Sequence, residues 1–229
     1  MMNNAYAEAM AEVSEKHKDN LDVIYVYVES LMNSDPWKLW KKDTETGLVT
    51  AANEATLTIV GVLEDALMKA PTHPGLCHLY VHAMELSPSP QKALPQANVL
   101  RTAMPKSGHL VHMASHIDAW VGQYKEGLSA NIKGVEADEA YVLETGIDSE
   151  FYKCYRLHNL HFCTWMAMFD GQSKVALQYA DKIVETLPAG PNGVEFLLAG
   201  VVPMGAVFLE AFAAVKYHVL IRFGMWQGL

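Results

Sequence analysis

The chain has 229 residues, 51% of them hydrophobic, and a formal net charge of −9. That is enough apolar material for one large core or one continuous helical array, and too little Pro and Gly for a disordered tract. The densest basic stretch, 38–42, holds three lysines and reads as a solvated loop, so nucleic acid is excluded as a partner.

The opening residues, MMNNAYAEAMAEV, lack a basic start followed by an apolar run, and no signal peptide is expected. Apolar residues then recur at helical spacing, with no convincing period-two alternation anywhere. The breaks are HKDN, NSDP, KAPTHPG, SPSP, MPKSG, ETGIDS, FDGQS and LPAGPNG. Short helices joined by short turns make antiparallel neighbours, so the expected class is all-α. A helix over 55–70 closes on Pro71, a loop containing 35–50 lies before it, and an extra segment is expected around 140–156. The most apolar stretch, 196–209, contains Pro203 and precedes Glu210. It is too short to span a bilayer and reads as a buried helix pair, which leaves no membrane partner. Three cysteines, Cys77, Cys154 and Cys163, form no paired framework, and a cytoplasmic, reducing compartment is expected. Cys77 and Cys163 read as buried structural thiols, and Asp118 and Asp138 as helix-surface acids. The chain begins inside a helical pattern and ends on FGMWQGL, as a single array (1–229) cut from a longer one would.

The helices repeat. QKALPQANVLRTAMP and SKVALQYADKIVETLP place Ala93, Ala97 and Leu100 in the phase of Ala176, Ala180 and Ile183, and each closes on Pro. Between them lies VGQYKEGLSANIKGVEAD, with Gly122, Gly127 and Gly134 at the same phase. Small residues there let two helices approach closely. Gly122 and Gly171 fit inter-helix turns, and Gly224 starts a unit that the chain does not finish. These segments resemble the second helices of tetratricopeptide repeats, units of about 34 residues. The resemblance implies antiparallel helix pairs stacked as a right-handed α-solenoid.

In the register of that repeat, His78 and His82 fall at positions 5 and 9 of one unit, and His109, His112 and His116 at 2, 5 and 9 of the next. His158 and His161 fall at 2 and 5 of a third, with Trp165 at 9, and His218 returns at 9 in the unfinished unit. Seven of nine slots in three units are His, where ten histidines scattered along 229 residues would fill fewer than one. Spacings of three and four share a helical face. Duplication of a repeat would also copy such a row without any function.

Imidazoles at i and i+4, as in His78 with His82 and His112 with His116, can chelate one transition ion, Zn, Fe, Mn or Cu. The metal set is therefore His78, His82, His112, His116 and His161. Two carboxylates can complete it. Glu85 lies one turn beyond His82, and Glu29 stands opposite His82 when YVYVESLMNSDP is aligned with HLYVHAMELSPS. Against the metal role, Glu85 also reads as a solvated carboxylate at a helix end. His109, His158, His218, Tyr80 and Trp165 are candidates for lining a ligand groove, with Trp120 and Phe162 nearby. Without a metal, the same imidazoles can bind an anionic peptide or a small acid more strongly as pH falls.

The blocks HPGLCHLYVHAMELSPSPQKALPQANVL, GHLVHMASHIDAWVGQY and HNLHF are more specific than the generic repeat. They resemble a His-rich subgroup of tetratricopeptide-repeat proteins over most of the chain. This sequence departs from that pattern at Ala114, where the subgroup usually has Pro. The resemblance implies a fold and a concave groove lined by the first helices, and no reaction. The expected function is a helical-repeat binding module whose groove takes a metal ion, a small ligand, a peptide or a protein. The alternatives are a metal-dependent enzyme using the same His/Glu set and a plain interaction scaffold.

Overall fold

A computed structural model describes residues 2–187 and 211–228, and they are mostly helical. The chain divides into two compact units. One comprises Met1–Met104 with His116–Val121, the other Pro105–Ser115 with Gly122–Leu229.

The first unit opens with α1 (Met2–Lys16) and α2 (Leu21–Met32) and continues, after a hairpin, with α3 (Glu54–Lys69), α4 (Pro74–Met84) and α5 (Leu94–Ala103). Helices α2, α3 and α4 start where the sequence offers a cap. Asn20 Oδ1 accepts from Asp22 N and Val23 N, and Asn53 Oδ1 from Thr56 N. His73 caps α4 through Nδ1, with Pro74 at the first helical position. Successive helices pack on one another, α1 on α2, α2 on α3 and α4, α4 on α5. The core between them is built from Val28, Ile59, Leu63, Leu76, Val81 and Leu100, all fully buried.

The second unit contains α6 (Gly108–His112), α8 (Tyr124–Thr145), α9 (Glu150–Phe169), α10 (Ser173–Thr186) and α11 (Val215–Arg222). Helix α7 (Ala114–Val121) begins in this unit and ends in the first. Within the second unit α6 packs on α8, α8 on α9, α9 on α10 and α10 on α11. The approach of α6 to α8 depends on two glycines. A Cβ on Gly134 would lie 2.9 Å from the Gly108 carbonyl oxygen, and one on Gly108 would lie 2.6 Å from that of Gly134.

Seven of the expected breaks fall between helices; the eighth, LPAGPNG, lies outside the described residues beyond Leu187. The stretch 196–209, with Pro203, also lies outside them, as do Pro188 and Glu210. Gly122, Gly171 and Gly224 have φ of +77°, +74° and +65°, the left-handed turn conformation that favours glycine.

Three expectations need correction. The segment 35–50 is not all loop. Trp40–Lys42 pairs antiparallel with Val49–Ala51, closed by a turn in which Asp43 Oδ1 accepts from the backbone N–H of Glu45 and Thr46. Strands of three residues are too short for a period-two signal to show. The extra segment around 140–156 is not a separate element, because α8 and α9 extend through it and turn at Gly146. Asp118 and Asp138 are buried rather than surface acids. Asp118 pairs with Arg101 at 2.6 Å, while Asp138 accepts from Tyr152 Oη at 2.8 Å and Asn159 Nδ2 at 2.7 Å. Helical spacing alone cannot separate a solvated acid from a buried one whose partner lies on another helix.

No helix among the described residues is long and apolar enough to cross a membrane. Cys77, Cys154 and Cys163 are not disulfide-bonded, and Cys77 and Cys163 are buried. Burial pushes the Cys77 thiol up to about 11.

Candidate metal-binding histidine groups

The first unit gathers His78 and His82 from α4 and His116 from α7. His78 and His82 are one turn apart, with ring centroids separated by 4.8 Å, and His82 lies 5.6 Å from His116. Glu85, the residue that ends α4, joins the group. Its Oε1 is 3.1 Å from His82 Nδ1 and its Oε2 is 2.5 Å from His116 Nδ1. Burial alone would raise the Glu85 pKa. The hydrogen bonds from His116 and His82 outweigh it and hold the carboxyl well below the usual range. An ionised carboxylate can only accept, so both imidazoles donate from Nδ1. A neutral imidazole held in that tautomer has its lone pair on Nε2, the arrangement by which a carboxylate orients a metal-ligating histidine. Glu85 is therefore not the solvated helix-end residue that its position in sequence allows.

The second unit gathers His109 and His112 from α6 and His158 from α9. His112 is fully buried. Its Nδ1 lies 2.7 Å from Asn131 Oδ1, and Asn131 Nδ2 donates to the Gly127 carbonyl at 2.7 Å. The second bond fixes which way the amide faces, so His112 donates from Nδ1 and its lone pair sits on Nε2. His158 Nε2 is 3.0 Å from that atom. The two nitrogens share a proton or face a common cation. Two nitrogens each 2.0–2.1 Å from one ion stand about 2.9 to 3.4 Å apart at octahedral or tetrahedral angles, so 3.0 Å suits an ion without rearrangement. His109 has its ring 5.8 Å from His112, edge-on to Tyr155 at 5.3 Å. Phe162 packs on both His112 and His158.

Each unit thus holds a pair of imidazoles, His78 with His82 and His112 with His158, whose ligand nitrogens lie within 4.8 Å and can hold a metal ion.

The other candidates are placed as follows. Glu29 lines a cleft of about 210 Å³ in the first unit together with His82 and Glu85. His161 stacks edge-on against Phe212 at 5.4 Å, and burial, followed by the charge of His218, lowers its pKa to about 4. His218 is exposed and Trp165 is half-buried against Phe162 and Phe169. Trp120 is exposed. Tyr80 is buried, and its hydroxyl donates to Glu64 at 2.8 Å. It follows His78 and precedes His82 by two residues, a spacing that does not share their helical face. Asn131 carries no motif and was missed in the sequence. The only signal is its position in a helix among glycines, which does not reveal what its amide meets.

No protein-family model matches the chain, and no curated protein or solved structure does either.

Proposed function

We propose that the chain is a helical-repeat protein of the tetratricopeptide kind that binds transition-metal ions through its two histidine groups. Support for the repeat comes from consecutive helix hairpins turning at left-handed glycines. The observation that carries the metal reading is the fixed tautomer. Asn131 on His112, and Glu85 on His82 and His116, hold Nδ1–H and leave Nε2 as the donor. Imidazole-rich sets with a carboxylate in support suit Zn, Fe or Cu better than Mg or Ca.

Metal analysis of protein purified without an affinity tag tests this. The expected result is stoichiometric Zn, Fe, Mn or Cu. His112→Ala and His158→Ala should each lose the ion of the second unit, and His78→Ala that of the first. Outer-sphere partners of this kind typically contribute ten- to a hundredfold in affinity, so Asn131→Ala should weaken binding by about that much. Protein that takes up no ion at micromolar concentrations would overturn the reading.

A further inference from the structure

Pro36 and Trp37 form the corner of a turn in which Lys38 N donates to the Asp35 carbonyl at 3.1 Å. Trp37 has φ +56° and is 81% exposed. Proline at the second place and positive φ at the third describe a type II turn, where glycine is the usual third residue. A tryptophan there carries backbone strain and gains little from burial. Its side chain lines the cleft of about 210 Å³ beside Trp40, whose indole N–H donates to the Ala83 carbonyl at 2.6 Å. Glu29, Asp35 and Glu85 line the same cleft, and no Lys or Arg does. The one basic side chain there, His82, donates to Glu85. Among the described residues no cationic side chain pairs with Glu29.

We infer that this cleft binds a small organic cation, an amine or quaternary ammonium with an apolar substituent, its charge set between the tryptophan faces and the Glu29 and Asp35 carboxylates. Aromatic faces attract cations, strongly when the contact is dry, and carboxylates repel anions. The volume suits a head group rather than a peptide. The site uses no metal but shares His82 and Glu85 with the first histidine group, so it is tested with metal removed.

Titration of the full chain with benzyltrimethylammonium, in excess EDTA and followed by calorimetry, tests the inference. Benzyl alcohol serves as the neutral comparison. Saturable binding is expected, with benzyl alcohol weaker by about tenfold or more. Trp37→Gly should weaken binding by a similar factor while leaving the melting temperature unchanged or higher, because glycine relieves the turn. Glu29→Gln should weaken binding several-fold. Three results would overturn the assignment: no saturable binding, equal affinity for the alcohol, or a Trp37→Gly protein that binds normally. A large fall in its melting temperature would instead make Trp37 a folding residue, and would also overturn it.

Discussion

Glu85 couples two helices through one carboxylate. Its lowered pKa gives a signed expectation. The folded-state value lies below the ordinary 4.5, so its stabilisation is present above about pH 4.5 and fades as pH falls toward the folded value. Hydrogen bonds to a charged group are worth about 1.5 to 3 kcal/mol. Glu85→Gln should therefore cost about 2 kcal/mol at neutral pH in urea unfolding, and the gap to the parent protein should narrow in acid. A pH-independent gap would assign the loss to packing. His161 has a dependence of the same sign in a higher pH window. Its folded pKa, about 4, lies below the ordinary 6.5, so the unfolded chain takes up the proton first. Stability should fall between pH 6.5 and 4, by at most about 3 kcal/mol from this residue. His161→Phe, followed by urea midpoints across that range, should flatten the decline.

Two glycines in helices make opposite predictions at the scale of the element. Gly61, on the exposed face of α3, has open space where a Cβ would go. Gly61→Ala should raise stability by about 0.5 to 1 kcal/mol through helix propensity alone. Gly134 gains the same propensity, but its Cβ would press on the Gly108 backbone, which cannot swing aside. Overpacking of that kind costs about 1 to 3 kcal/mol, so Gly134→Ala should be destabilising on balance. It should also weaken metal binding in the second unit, because α6 carries His109 and His112. Thermal melts of both variants, with metal analysis of the second, check this. The close approach at Gly134 was legible as a small residue recurring at the repeat phase. The hairpin at Trp40–Lys42 was not, because three-residue strands fix their register by the Asp43 turn rather than by alternating side chains.

At the scale of the whole molecule, an ion that binds only the folded chain would be linked to folding. An ion at about a hundredfold its Kd stabilises the state that binds it by about 2.7 kcal/mol. For a chain of this size that is roughly 5 to 10 °C in melting temperature. Added Zn should raise the midpoint relative to EDTA-treated protein, and His112→Ala together with His78→Ala should abolish the rise. The net charge of −9 favours cation uptake in general, so added salt and the double variant separate specific sites from diffuse attraction.

The helical class, the breaks and the turn glycines follow from the sequence because each depends on residues within a few positions of one another. Proline fixes its own φ, glycine supplies φ > 0, and apolar spacing of three and four marks a helix locally. The histidines at spacings of three and four were legible for the same reason. Which nitrogen each one offers was not. That depends on Glu85 reaching His116, 31 residues away, and on Asn131 reaching His112, 19 away. The burial of Asp118 and Asp138 likewise depends on Arg101, Tyr152 and Asn159. Spacing within one helix records which side chains share a face, whereas tautomer, charge state and burial are set by what the neighbouring helix brings to that face, and only the tertiary structure decides that.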